Sequence, residues 1–177
     1  MRDSPAPLDP AFGIPPPGFR LPASTRCGRV RLRVSNLSRS IEFYTGVLGL
    51  QAASLGATST LLSADTASHP LIELHEEPGT SPARRGACGL YHFAIRLPDR
   101  AVLGRFLSHS VDRSVRVGSA DHLVSEALYF SDPDGLGIEV YADRPRATWR
   151  TRATELVMVV DPLDAVSYTH LTLPTKA

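Results

Sequence analysis

From Cys27 onward apolar and polar positions alternate with period two, Val30, Leu32 and Val34 falling on one side and Arg29, Arg31 and Arg33 on the other. That alternation predicts a strand with one buried face. Helical spacing follows, with Ile41, Tyr44, Val47 and Leu48 on one stripe. It predicts a helix over Ser38–Val47, capped by Asn36 or Ser38, weakened by Gly46 and ended by Gly49. Short strands are predicted near 51–55, 58–63 and 71–75, between turns containing Gly and Asp. The order then recurs, with a strand over 91–97, a helix from an Asp99 cap to Ser110, and strands near 114–117, 126–130 and 137–141.

The two halves also match in register. Cys27-Gly28-x-x-Arg31-Leu32-x-Val34 lies over Cys88-Gly89-x-x-His92-Phe93-x-Ile95 at an offset of 61, and Leu71-Ile72-Glu73-Leu74 lies over Gly137-Ile138-Glu139-Val140. The repeat predicts an α+β fold of two tandem βαβββ modules forming a pseudo-two-fold sheet with a concave cleft. The expected divisions are a leader over 1–26 with seven of the fifteen prolines, module one over 27–80, a linker over 81–86 and module two over 87–145. A linker start over 146–166 and a tail over 167–177 follow.

Facing gives the repeat chemical content. With the apolar residues of each first strand turned to its helix, Arg31 and His92 point to the concave side, as do Glu73 and Glu139 in the last strands. Imidazole and carboxylate at equivalent strand positions suit a divalent metal. Glu139 in an otherwise apolar strand needs a cation, a proton or a donor, because a buried unpaired carboxylate is costly. Taken alone, His92 reads as a solvated strand residue, Tyr129 as a core aromatic, His122 as a loop residue and Asp132-Pro133-Asp134-Gly135 as a hairpin turn. His69 and His109 read as surface residues, and Arg84 with Arg85 as part of a solvated linker.

Nineteen basic against eighteen acidic side chains leave the 177 residues with a formal charge of +1, which argues against a nucleic-acid partner. No apolar run reaches the roughly 18 residues that span a bilayer, and the N-terminus has no apolar core before a cleavage site. Cys27 and Cys88 are too few for a secreted disulfide scaffold and lack zinc spacing. A soluble cytoplasmic protein with free thiols and no membrane partner is expected.

The stretches RVRLRVSNLSRSIEFYTGVLGL, GLYHFAIRLP and FSDPDGLGIEVYADRP resemble the vicinal oxygen chelate superfamily of glyoxalases, bleomycin-resistance proteins and extradiol dioxygenases. The resemblance covers about residues 24–165 and is strongest to the N-terminal half of catechol 2,3-dioxygenase-like members. Its most specific part, HLVSEALYFSDPDGLGIE over His122–Glu139, resembles the extradiol signature, with Ala120 a minor departure. The resemblance implies His92 and Glu139 as metal ligands, His122 as acid or base, and Tyr129 hydrogen-bonded to the same substrate oxygen. His75 falls near the place of a second acid-base histidine. Fe(II) is the implied metal, with Mn(II) or another divalent ion next, and a small catecholic aromatic and dioxygen are the implied reactants. Assembly into a homo-oligomer is compatible with it.

The position of the third ligand is Arg31, and arginine offers no lone pair. Three outcomes compete: Glu73 substitutes as ligand, Arg31 pairs with Glu73 and leaves a metal-free pocket, or another part of a longer protein holds the working site. The functional readings are an extradiol dioxygenase-like fragment, a metal-free binding module of the bleomycin-resistance kind, and a glyoxalase-type isomerase or lyase, the last being what a mixed His and Glu ligand set with Glu73 would give.

From Ser167, the run Ser167-Tyr168-Thr169-His170-Leu171-Thr172-Leu173-Pro174-Thr175 resembles the translated adapter of a transposon-based sequencing library. Eighteen of the nineteen basic residues are Arg, and the single Lys is Lys176, directly after that run. The expectation is a native part of about 166 residues, cut from a longer protein and followed by a foreign tail.

Overall fold

The computed structural model describes residues 6–7, 18–22, 24–66, 69–82, 88–152, 155–164 and 166–169. Most of the proline-rich leader, the Arg84 and Arg85 pair and the end of the tail, Lys176 included, lie outside the described residues. In chain order the elements are β1 (Ala6–Pro7), β2 (Val30–Val34), α1 (Leu37–Leu48), β3 (Gln51–Ser54), β4 (Ser59–Ser63) and β5 (Ile72–Glu76). They continue with β6 (His92–Arg96), α2 (Arg100–Asp112), β7 (Gly118–Asp121), β8 (Ser125–Ser131) and β9 (Gly137–Asp143). A 3-10 turn (Arg146–Thr148), β10 (Arg150–Arg152), β11 (Glu155–Leu156) and α3 (Val166–Thr169) complete the chain.

Both long helices begin where a short polar side chain replaces a missing backbone partner. Asn36 accepts from the Arg39 amide at 2.8 Å, and Asp99 accepts from the Val102 amide at 2.8 Å. Gly49, left-handed at φ 69°, ends α1 and returns its amide to the Tyr44 carbonyl. The end of α2 displaces the strand expected near 114–117. Ser114 turns left-handed at φ 56° and Val115 donates back to the Ser110 carbonyl at 2.9 Å, so these residues close the helix and the strand starts at Gly118.

The two four-stranded sheets have the same order. The first is β2-β5-β4-β3 and the second β6-β9-β8-β7, so each module places its first strand beside its last. In the first sheet β2 runs parallel to β5, pairing Arg31 with Glu73 and Leu32 with Leu74. Leu32, Val34, Leu62, Ile72 and Leu74 are buried, and α1 packs on β3, β4 and β5 with Leu37 and Tyr44 buried. Each such side chain contributes roughly 1.5–3 kcal/mol through removal from water.

The chain forms two compact units. The first holds Pro22–Phe93 and Phe130–Ile138, and the second Ala94–Tyr129 and Glu139–Ala177 with Met1–Leu21. The β8–β9 turn therefore belongs with the helix of module one. Within that unit the buried Tyr44 phenol donates to Asp132 Oδ2 at 3.0 Å, while Asp134 accepts from the Ser35 amide at 2.6 Å, the Ser35 hydroxyl at 2.7 Å and Arg39. Asp132 Oδ1 also accepts from the Asp134 and Leu136 amides, both at 2.9 Å, which shapes the turn itself.

In the second unit Leu103, Ala127, Leu128, Val140 and Ala142 are buried, and so is the carboxylate of Glu126. That carboxylate is satisfied by Arg100 Nε at 2.6 Å, Arg144 Nη2 at 2.9 Å and the Tyr168 hydroxyl at 2.7 Å. Tyr168 lies inside the run read as a foreign tail, yet it is buried here, with the Arg100 guanidinium 4.2 Å from its ring centroid. Among the described residues no helix is long and apolar enough to cross a membrane.

Candidate functional site

In β8 and β9 the residues flanking Tyr129 and Glu139 are apolar and buried, so strand alternation sends these two side chains to the opposite face. They meet there. The Tyr129 hydroxyl donates to Glu139 Oε1 at 3.0 Å and lies 2.9 Å from His122 Nε2. His122 sits on the β7–β8 turn, where Leu123 is left-handed at φ 66° and the His122 amide bonds the Ser125 carbonyl at 2.9 Å. Its Nδ1 faces the Val159 carbonyl at 2.8 Å. A carbonyl only accepts, so Nδ1 carries a hydrogen and Nε2 is the nitrogen aimed along the chain of bonds.

This arrangement can move a proton. When Nε2 carries a proton as well as Nδ1, the phenol can pass its own hydrogen to Glu139 and take that of Nε2, which shifts a proton from imidazolium to carboxylate. Burial first, then the hydrogen bond to Glu139 and the charge of Glu139, push the Tyr129 phenol up to about 12. Tyr129 therefore acts as a neutral bridge rather than a phenolate. The sequence singled out all three side chains; the Val159 carbonyl that fixes the imidazole had no signal, because any residue type supplies it.

The first unit carries a different cluster. Glu73, 7% exposed, holds Arg29 Nε on Oε2 at 2.8 Å and Arg31 Nε on Oε1 at 3.2 Å. Strand pairing sets His75 beside Arg33 on β2 and opposite Ser59 on β4, with the Ser59 hydroxyl 2.7 Å from His75 Nδ1. His75 is thus part of β5 and is engaged by Ser59. Arg33 extends to Glu77 at 3.0 Å. His92 packs edge-on against the ring of Tyr91, centroids 5.2 Å apart, and Gly137 lies so close that a Cβ there would stand 2.7 Å from the Tyr91 carbonyl oxygen and 2.9 Å from His92 Cβ.

These contacts bear on the metal that the resemblance implies. Arg31 has no lone pair for a cation, and each oxygen of Glu73 is engaged by a guanidinium, so the pairing of Arg31 with Glu73 is what the structure shows. Among the described residues no three His, Cys, Asp or Glu side chains gather as a metal-binding group. The residues present do not fit a complete three-donor set. Arg29 as the second partner of Glu73 was missed, although its alternation with Arg31 puts it on the same face.

Comparison with known proteins follows the same lines. The profile of the Glyoxalase/Bleomycin resistance protein/Dioxygenase superfamily matches residues 26–140. The chain is 44% identical over 142 residues to a catechol-2,3-dioxygenase of Bacillus subtilis (strain 168), a match covering 79% of this chain and 50% of that protein. The chain thus spans about half the length of that relative. A glyoxalase/dioxygenase structure from Nostoc punctiforme aligns with TM-score 0.59 at 20% identity, covering 72% of this chain and 98% of that one. A lactoylglutathione lyase structure from Agrobacterium tumefaciens aligns with TM-score 0.53 at 19% identity, covering 68% and 96%.

Proposed function

Because the chain belongs to the glyoxalase/bleomycin resistance protein/dioxygenase superfamily, we propose that it is a module pair of an extradiol dioxygenase-like protein acting on a small catecholic aromatic and dioxygen. The observation that carries this reading is the bonded series His122, Tyr129 and Glu139, which brings an acid-base imidazole to a phenol that can hydrogen-bond a substrate hydroxyl. In this reading His122 takes or returns the proton of a ring hydroxyl and Tyr129 orients the same oxygen. A divalent metal, iron(II) or manganese(II), supplies Lewis-acid and redox chemistry to such reactions. His92 and Glu139 are the candidate donors for it, and the third donor would have to come from elsewhere than Arg31.

A second reading is favoured by the Arg29 and Arg31 contacts to Glu73: a binding module whose first-strand position has been given over to an ion pair. Elemental analysis of the purified protein, with Arg31→His alongside, together with the absorbance of ring-opened product from catechol, separates the two. Metal and product in the unsubstituted protein support the dioxygenase. Metal only in Arg31→His supports the binding module, with a ligand position lost by substitution. Neither metal nor product in either form sinks the dioxygenase reading.

A further inference from the structure

The face of the first sheet that bears Arg31 and Glu73 carries more positive charge than its ion pairs use. One buried carboxylate, Glu73, faces two guanidiniums, those of Arg29 and Arg31, and both contacts are made through Nε. One positive charge is left over, and among the described residues the terminal nitrogens of both arginines make no hydrogen bond. The arginine side chains stay accessible, Arg29 at 49% and Arg31 at 63%, while Glu73 is buried. Glu73 thus holds Arg29 by a hydrogen bond and Arg31 by an ion pair, while about half or more of each arginine side chain stays open to solvent. In the next row of the same face, Arg33, His75 and Ser59 lie side by side, Arg33 being balanced by Glu77.

We propose that Arg29 and Arg31, oriented by Glu73, form a binding site for an oxyanion, the carboxylate or phosphoryl group of a small ligand. Guanidinium forks suit these groups because two parallel N–H donors match two oxygens of a carboxylate or phosphate. An incoming anion restores neutrality above Glu73. The acid is the built part: a buried acid neutralised by a single arginine would leave nothing for a ligand, whereas the second arginine supplies both the charge and a donor set. His75 and Ser59 set the neighbouring row with a hydroxyl and an imidazole for a ligand that extends beyond its anionic group. The site lies wholly within the first unit and does not depend on the chemistry of His122, Tyr129 and Glu139.

Titration with inorganic phosphate and with benzoate at fixed low ionic strength, followed through the Nε–H resonances of 15N-arginine-labelled protein, tests it. Saturable shifts at Arg29 and Arg31 are expected, weakened about ten-fold in Arg31→Ala, as loss of a charge-assisted pair of bonds predicts. Arg31→Lys keeps the charge but not the fork and is expected to fall between. Arg96→Ala removes an exposed arginine paired with Asp143 in the second unit and should leave affinity unchanged. A preference for phosphate points to a phosphorylated ligand and a preference for benzoate to a carboxylated aromatic, either one supporting the site. Saturation by neither anion overturns it, as does equal weakening in Arg96→Ala. Thermal melts confirm that each variant is folded, and catechol turnover is read separately, so failure of one proposal is distinguishable from failure of the other.

Discussion

Tyr44 and Asp132, 88 residues apart, share a buried hydrogen bond of 3.0 Å between phenol and carboxylate. The bond ties the β8–β9 turn to the helix of module one. Removing the hydroxyl leaves Asp132 Oδ2 with one donor fewer, so Tyr44→Phe should cost about 1–2 kcal/mol. The midpoint of urea unfolding would fall with an unchanged slope.

The same pair gives a pH dependence with a definite sign. Burial is the main cause that raises the Asp132 carboxyl above its ordinary 3.8, against the opposing pull of its donors Leu136, Tyr44 and Asp134. A raised value in the folded state means that the folded form holds the proton more tightly. Its contribution is fully present below 3.8 and is lost as pH rises through the folded value. Asp132→Asn keeps an oxygen for the backbone amides and does not titrate. Stability of the unsubstituted protein relative to Asp132→Asn should therefore decline as pH rises from below 3.8 through the raised folded value, measured as urea midpoints over a pH series.

Gly137 tests the seating of His92. A methyl group there meets backbone and Cβ rather than a flexible tip, at 2.7 Å and 2.9 Å. Gly137→Ala should destabilise by about 1–3 kcal/mol, the usual cost of overpacking. It should also shift the His92 imidazole resonances, whereas a control Gly28→Ala, with open space around it, should do neither.

For Tyr129 the expected effect is on rate. Tyr129→Phe keeps the ring and breaks both the link to His122 and the donation to Glu139. If catechol is turned over, kcat should fall about a hundred-fold, within the range for lost acid-base assistance, with a smaller change in KM. An unchanged kcat would remove Tyr129 from the chemistry.

Glu126 gathers Arg100, Arg144 and Tyr168, the last from the tail segment. Because both arginines are about one-third exposed, their loss of a partner is softened by solvent, and Glu126→Ala should cost about 2–3 kcal/mol. Tyr168→Phe should cost about 1 kcal/mol through one hydroxyl. Calorimetric melts of both, beside a chain ending at Asp164, show how far the tail supports the second unit.

Much of this structure was legible locally. Arg29, Arg31 and Arg33 alternating with Val30, Leu32 and Val34 predict β2 and its facing, and Asn36 and Asp99 mark the helix starts because capping needs only a short polar side chain three residues before an amide. The repeat predicts the shared order of the two sheets. The strand placed near 114–117 failed because a left-handed Ser114 has no marker in a residue type that usually avoids that conformation. Tertiary partners were least visible: Asp134 reaches Ser35 across 99 residues, and no local pattern encodes such a meeting. Within the candidate site the side chains His122, Tyr129 and Glu139 were legible, while the Val159 carbonyl and the second arginine on Glu73 required the fold.

The discontinuous first unit bears on how this protein is made. At a synthesis rate of about 5–20 residues per second, Tyr44 waits roughly 4–18 seconds before Asp132 exists to accept its phenol. Until then the first module lacks the turn that anchors its helix. Cutting the gene at the midpoint of its internal duplication would make that wait permanent, so the two halves of the repeat, though similar in plan, have become joint owners of one folding step.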